Sequence, residues 1–363
     1  MSVRPLIVVG TRPEIIKMAP VVHECESRGI DTFLLHTGQH YSEPMSSSIF
    51  GDMALREPDS NLDIGSGTHA EQTAKALIGI EKEILREEPD IVVVQGDTNA
   101  VLSTALAAVK LRVPLAHVEA GLRSYDFRMP EEHNRRLTDH AADILFAPTE
   151  RSAQILKDED VRGKVFVTGN TVIDALESRL PAAIQKPDPT PGFEGKGFAL
   201  LTLHRSENVD DEETLRGLVE GVISLNTEVL FSAHPRTAKR LIEFNLMKKI
   251  EASSSRVRIV EPLTYLDFLR VLQSCDFVMT DSGGIQEEVT APSINKRVFV
   301  LRVSTERPEA VESGHATVVG VDPTEFPGTI LKEVGNGLEG TRECPFGQGN
   351  ASKLIVDILL DEL

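Results

Sequence analysis

The chain has 363 residues, 40% hydrophobic and 26% charged, which is enough for two globular domains with large cores. Its formal net charge is −18, from 38 basic and 56 acidic residues. This excludes a globally basic nucleic-acid footprint, and an anionic ligand would need local cations to hold it against an unfavourable field. Cys25, Cys275 and Cys344 have no close spacing, which does not support a disulfide framework or a zinc cluster, and Cys25 and Cys275 sit in apolar-periodic stretches, so buried free thiols are expected there. No apolar run reaches the roughly 18 residues of a membrane span. The start, Met1-Ser2-Val3-Arg4-Pro5, runs into a strand without a signal-peptide pattern, so a cytoplasmic location is expected.

Short apolar runs alternate with helical periodicity along the whole chain. Strands are expected at Leu6–Val9, Thr32–His36, Ile91–Gln95, Leu115–Val118, Ile144–Ala147 and Val165–Thr168. A second set is expected at Ala199–Leu203, Val229–Ala233, Val257–Val260, Phe277–Thr280, Val298–Leu301 and Thr317–Val319. Most are continuous Val/Ile/Leu runs, the pattern of strands buried on both faces of a parallel sheet. Helices such as Ala70–Arg86, Ala100–Leu111 and Glu212–Leu225 lie between them. The expected class is α/β, with two doubly wound parallel-sheet domains. After a helix at Val172–Leu180, prolines 181, 187, 189 and 191 and glycines 192, 195 and 197 mark a linker. The expected division is therefore 1–175, a linker at 176–196, and 197–350, with a last helix at about Ala351–Leu363.

In open α/β sheets ligands collect at the carboxyl ends of strands. The first strand is followed by Gly10-Thr11-Arg12-Pro13-Glu14-Ile15-Ile16-Lys17. Arg12 and Lys17 stand beside a helix N-terminus, where cations are unfavourable unless they are solvated or an anion sits between them. Thr37-Gly38-Gln39-His40 follows the second strand, and Gln95-Gly96-Asp97-Thr98 closes the third. Asp97 suits either an N-cap of the next helix or an acid in a site. Glu119, directly after the fourth strand, is hard to explain as surface decoration. Further on, Met129-Pro130-Glu131-Glu132-His133 supplies another carboxylate, so Asp97, Glu119 and Glu131 are expected to face one site.

The second half contributes Leu203-His204-Arg205-Ser206, then Ser232-Ala233-His234-Pro235-Arg236. Next comes Asp281-Ser282-Gly283-Gly284-Ile285-Gln286-Glu287-Glu288, after an apolar strand. Two glycines let backbone approach a ligand, the helix N–H groups favour an anion, and Glu287 or Glu288 could accept from a sugar diol. The alternative is an ordinary strand-to-helix turn. Arg307, in Thr305-Glu306-Arg307-Pro308, suits a planar grip on phosphate, and His204 suits donation to phosphate or proton transfer near neutral pH. Two segments match dinucleotide patterns in the wrong context. Gly65–Ala70 follows a poor strand far from the first βαβ unit, and Gly335–Gly340 lies near the chain end.

The motifs GTRPEIIK, TGQH, QGDT, HVEAGLRS, MPEEHNRRLTDH, VTGNTVIDA, LHRSEN, HPR, DSGGIQEE and TERPEAV occur in this order, from about residue 7 to the final PFGQGNAS. Together they resemble the non-hydrolysing UDP-N-acetylglucosamine 2-epimerases. The resemblance implies a GT-B arrangement of two Rossmann-like domains with an active site in the cleft between them, and a last helix that crosses back onto the first domain. It implies reversible conversion of UDP-GlcNAc to UDP-ManNAc by elimination of UDP and re-addition, without cofactor or metal, in a homodimer that binds neither nucleic acid nor membrane. By motif position it makes Asp97, Glu119 and Glu131 the acid/base groups, with His204 beside the diphosphate. It places UDP against Arg12, Lys17, Ser282, Gly283, Gly284 and Arg307, the ribose on Glu288, and the uracil beside Phe268. Gln39 and His40 fall where bacterial relatives bind a second, activating UDP-GlcNAc, and Ser42 departs from the glutamine common there. Other readings remain: the same chemistry on UDP-2,3-diacetamido-2,3-dideoxy-glucuronate, a hydrolysing epimerase, or a non-catalytic UDP-sugar-binding protein. Glu287 and Arg307-Pro308 favour the plain GlcNAc branch.

Overall fold

The computed structural model describes residues 3–38, 43–190, 193, 196–252, 256–338 and 340–363. Gln39, His40 and Ser42, the residues expected at a second ligand site, lie outside them. The chain divides into two compact units, Met1–Ser178 with Phe346–Leu363, and Arg179–Pro345.

The strands of the first unit are β1 (Pro5–Val9), β2 (Phe33–His36), β3 (Ser60–Asn61), β4 (Ile91–Gln95), β5 (Leu115–Val118), β6 (Ile144–Ala147) and β7 (Lys164–Val167). Its helices are α1 (Arg12–Ser27), α2 (Glu43–Asp52), α3 (His69–Glu87), α4 (Asn99–Leu111), α5 (Pro130–Ala141), α6 (Glu150–Asp158) and α7 (Thr171–Gln185), the last of which crosses into the second unit. All strands are parallel, in the order β3-β2-β1-β4-β5-β6-β7. β1 and β4 through β6 are buried along their whole length, which is why they read as largely apolar runs without strict alternation, with Gln95 and His117 as buried polar exceptions.

The second unit holds β8 (Ala199–Thr202), β9 (Val229–Ser232), β10 (Val257–Val260), β11 (Phe277–Thr280), β12 (Arg297–Val300) and β13 (Ala316–Val318). They are parallel, in the order β10-β9-β8-β11-β12-β13. Its helices are α8 (Ser206–Val209), α9 (Glu212–Ser224), α10 (Pro235–Glu243), α11 (Met247–Ala252), α12 (Tyr265–Ser274), α13 (Gly283–Glu288), α14 (Pro308–Glu312) and α15 (Phe326–Gly335). A final helix, α16 (Ala351–Glu362), belongs to the first unit and packs on α1, with Arg28 Nη1 2.5 Å from Asp357 Oδ1. Asp174 on α7 accepts from the N–H groups of Ala351 (3.2 Å) and Ser352 (2.8 Å), capping the first turn of α16.

Both sheets reverse strand order at one place, between β1 and β4 in the first unit and between β8 and β11 in the second. Such switch points leave a crevice at the carboxyl ends of the strands. The turns after β1, β4, β8 and β11 carry most of the residues singled out in the sequence.

One strand is not expected from the sequence, and one expectation needs correction. β3 is a polar two-residue strand, paired as Leu35↔Ser60 and His36↔Asn61, and it has no apolar run to announce it. The helix expected to stop at Leu180 instead runs to Gln185 through Pro181, so 176–185 is helix rather than linker. Its apolar face stays buried beyond the proline, with Leu180 and Ala183 both inside, and that burial offsets the lost backbone bond. Gly335, the first glycine of the Gly335–Gly340 motif, ends helix α15 instead of opening one.

Candidate active site

In the first unit, the turn after β1 is organised by Glu14, in the first turn of α1. Its carboxylate is buried and accepts from the N–H of Gly10, the N–H of Thr11 (3.0 Å) and the hydroxyl of Thr98 (2.6 Å). Burial pushes its pKa up to about 7, against these hydrogen bonds. Glu14 therefore already engages the two N–H groups that would have opened α1 to an anion. Thr98 is the N-cap of α4, its side chain accepting from Val101 N. This overturns the capping alternative for Asp97, which is left to project from the turn. Asp97 pairs with Arg135 of α5 at 2.6 Å, and Asn134 donates to its backbone carbonyl at 2.9 Å.

Glu119 follows β5 in a left-handed conformation, φ 65°. A non-glycine residue there is strained and needs compensation. The compensation is visible: its carboxylate pairs with Lys17 and accepts from Gln95 Nε2 (3.0 Å) and Asn170 Nδ2 (3.4 Å). Lys17 is thus no solvated surface cation, since its side chain is 9% exposed and that of Glu119 is 8%. Arg12 is half-buried at the first position of α1. The turns carrying Asp97 and Glu119 are adjacent, tied by Gly96 N donating to Val118 O at 3.2 Å. Glu131 stands half-buried in the first turn of α5, one turn before Arg135, the partner of Asp97. Its neighbour Glu132 turns inward, accepting from Ser124 N at 2.8 Å and Arg136 at 3.3 Å.

In the second unit the buried Asp281 carboxylate organises the turn after β8. It accepts from His204 N (3.1 Å), Arg205 N (3.0 Å) and Asn208 Nδ2 (3.0 Å). His204 Nδ1 lies 3.2 Å from Asp281 Oδ1, so this nitrogen faces an acceptor and Nε2 faces away, on a side chain 39% exposed. Ser282 is the N-cap position of α13, half-buried, and Gly283 and Gly284 open the helix. Arg307 is buried. Its Nε donates to Glu287 and its Nη1 donates to the Glu306 carbonyl at 3.1 Å, while Nη2 faces Gly283. The Nε edge of Arg307 is therefore occupied by Glu287. Of the two acids considered for a diol, Glu287 is fully buried against Arg307, and Glu288 is the one that retains some exposure, 8%. Phe268 is half-buried in the first turn of α12, whose N-cap is Thr264.

Several contributors escaped the sequence argument. Gln95, Arg135 and Asn170 bind the two acids, and their signal was weak because each lies far along the chain from its partner. Arg205 brings a second guanidinium to Gly283, and Asp281 turns out to be the residue that orients His204. Among the described residues no cluster of His, Cys, Asp or Glu could hold a metal ion, and no helix is long and apolar enough to cross a membrane. All three cysteines are buried and unpaired with one another, and burial pushes the thiols of Cys25 and Cys275 up to about 11 and about 12.

This arrangement can transfer protons through the acids after β4 and β5 and bind an anion at the turns after β8 and β11. The family model of the UDP-N-acetylglucosamine 2-epimerases matches residues 23–360. The chain is 46% identical to the UDP-N-acetylglucosamine 2-epimerase of Methanocaldococcus jannaschii, over 97% of this chain and 98% of the relative. It is 39% identical to the UDP-2,3-diacetamido-2,3-dideoxy-D-glucuronate 2-epimerase of Pseudomonas aeruginosa, over 98% of both. A crystal structure of the M. jannaschii UDP-GlcNAc 2-epimerase in complex with UDP-GlcNAc and UDP superposes with a TM-score of 0.88, at 45% identity and 99% coverage of both chains. A motif order spanning the chain, two Rossmann-like units of the GT-B class and acids gathered at strand ends thus agree with the comparisons: the chain belongs to the UDP-N-acetylglucosamine 2-epimerase family.

Proposed function

We propose that this enzyme interconverts UDP-GlcNAc and UDP-ManNAc without hydrolysis. The observation that carries the proposal is Glu119, held in a strained conformation against Lys17 beside the turn that presents Asp97. A binding protein has no need to keep two carboxylates close to an anionic ligand, whereas proton transfer at carbon does. The proton on sugar C2 is not next to a carbonyl and is weakly acidic. Its removal becomes accessible as the C1–O bond breaks and positive charge builds at C1. One carboxylate takes the C2 proton, and the bonding pair of C1–O leaves with UDP, giving 2-acetamidoglucal. A proton then returns to the other face of C2 from a second acid, and UDP re-forms the C1–O bond. Asp97, Glu119 and Glu131 are the acids for these steps. The proposal has His204, Ser282, Gly283, Gly284 and Arg307 hold UDP, with Arg12 and Lys17 supplying further positive charge, Glu288 the ribose and Phe268 the uracil. Support for the glycines comes from the fold itself. A Cβ on Gly283 or Gly284 would come no closer than 3.7 Å to protein atoms, and neither has a left-handed φ, so packing and backbone conformation do not demand glycine.

Turnover in D₂O is expected to place deuterium at C2, and its absence sinks proton transfer. Asp97→Asn and Glu131→Gln should each lose at least ~10²-fold in kcat with UDP affinity retained, the scale of general acid–base groups. Near-wild-type turnover removes that residue from the mechanism. The P. aeruginosa relative motivates a second substrate, UDP-2,3-diacetamido-2,3-dideoxy-glucuronate, and the ratio of kcat/KM on the two nucleotide sugars decides between them. We also expect a cytoplasmic homodimer. Its candidate face is the exposed apolar side of α3 and α4, with Ile78, Leu85, Leu106 and Val109, and sedimentation equilibrium tests it.

A further inference from the structure

One buried carboxylate reaches both turns that carry the candidate acids. Asp139, on α5, has no exposed surface. Its Oδ1 is 2.7 Å from Nδ1 of the buried His117 on β5. The other ring nitrogen, Nε2, lies 2.8 Å from the carbonyl oxygen of Gly96, the residue before Asp97. A carbonyl oxygen can only accept, so Nε2 donates to Gly96, while Nδ1 faces the Asp139 carboxylate. On its other side, Asp139 Oδ2 accepts from the N–H of Gly121 at 3.3 Å, two residues after Glu119, and sits 2.7 Å from Nη2 of Arg123. Burial alone would raise the Asp139 pKa, yet hydrogen bonding and charge from His117 and Arg123 hold it below the usual carboxylate range.

The links continue until they close on Asp97 from the opposite side. Arg123 Nη2 is 2.7 Å from Glu159 Oε2, and Glu159 Oε1 is 3.0 Å from Arg136 Nη2. Arg136 bonds Glu132 at 3.3 Å, Glu132 is 3.5 Å from Arg135, and Arg135 holds the Asp97 carboxylate at 2.6 Å. Asp97 is thus fixed at both ends, its backbone through Gly96, His117 and Asp139, and its carboxylate through Arg135. Such double fixing is what proton transfer needs, since a misplacement of about 1 Å can cost ~10²-fold in rate.

We propose that Asp139 is a positioning residue, which through His117 and the Gly121 N–H aims Asp97 and Glu119 together. This rests on the proposed proton-transfer roles of those two acids. The test measures kcat, KM for UDP-GlcNAc and UDP affinity in Asp139→Asn, with turnover normalised to the UDP-binding fraction. The expected result is a kcat at least about tenfold lower, with UDP affinity within about twofold, because the residues proposed to bind UDP belong mainly to the other unit. A folded Asp139→Asn with kcat within about twofold of wild type overturns the proposal. If that variant does not fold, His117 decides in its place. Gln keeps an N–H for Gly96 and should retain at least about fivefold more turnover than Phe, which keeps ring volume without the donor. Equal turnover in His117→Gln and His117→Phe overturns positioning through Gly96. Asp97→Asn and Glu119→Gln run alongside. If both remain active, the proton-transfer reading itself has failed, whereas if both are dead while Asp139→Asn is active, only the positioning inference has.

Discussion

Each unit has an acid and a glycine just past a strand at or beside its switch point, and the two units use them in opposite ways. In the first, Gly121 is demanded by the fold: its φ is 82°, and a Cβ would sit 2.4 Å from the Ser152 carbonyl oxygen. In the second, Gly283 and Gly284 are under no such demand. The acids reverse the pattern. Asp281 is fully buried and saturated by donors from its own fold, whereas Glu119 is kept in a strained backbone state by Lys17, Gln95 and Asn170. A strand-end acid or glycine is therefore informative about ligands only after the demands of the fold have been subtracted.

The sharpest way to break this comparison is to exchange each acid for its amide. Glu119→Gln should lower kcat by at least ~10²-fold if it acts as the proposed acid–base group. Asp281→Asn should instead lower stability by about 3 kcal/mol in urea unfolding, because buried donors lose their charged acceptor. Loss of turnover without loss of stability in Asp281→Asn would erase the distinction.

The pH dependence of stability should differ in sign between Asp281 and Glu14. Asp281 feels burial raising its pKa, but the hydrogen bond and charge of His204 and the backbone donors bring it below the ordinary value. Its stabilisation is full above the unfolded pKa of about 3.8 and is lost as pH falls through the lower folded value. Glu14 goes the other way, from 4.5 unfolded to about 7 folded. The folded state then binds the extra proton, so stability declines as pH rises from 4.5 to about 7. The decline is on the order of 3 kcal/mol. Wild type minus Glu14→Gln, measured as unfolding free energy against pH, should show this decline, and a flat difference would refute the burial argument for Glu14.

The glycines give a smaller effect with the same contrast. Gly121→Ala should cost at least about 2 kcal/mol, from left-handed strain and backbone collision together. Gly284→Ala should change stability by less than about 1 kcal/mol, the scale of helix propensity, while weakening UDP binding in calorimetry. Unchanged UDP affinity there would mean that the turn after β11 is an ordinary glycine turn. The smallest effect belongs to Ser282→Ala, where UDP affinity should fall about fivefold for one hydroxyl hydrogen bond. No change would remove that side chain from the site.

Much of this was legible in the chain, because the signals were local. Strands buried on both faces, β1 and β4 above all, must be apolar throughout, and a doubly wound order follows from their alternation with helices. The motif residues sit at strand ends, so Asp97, Glu119, His204 and Ser282 could be named as candidates from their position together with the family resemblance. The weighing of Asp97 as a helix cap or a site acid could be posed from sequence, but only the structure shows that Thr98, not Asp97, is the cap.

What remained hidden depends on partners distant in sequence. The family and the two parallel sheets could be read from the chain, and so could candidate positions at strand ends, since hydrophobic periodicity and motif order are properties of neighbouring residues. Tertiary structure alone decided that Lys17 meets Glu119, that Glu287 takes one edge of Arg307, and that Asp139 joins the turns of two acids. Those pairings arise because folding buries charges and polar groups, and each must then find a partner wherever the packed chain supplies one.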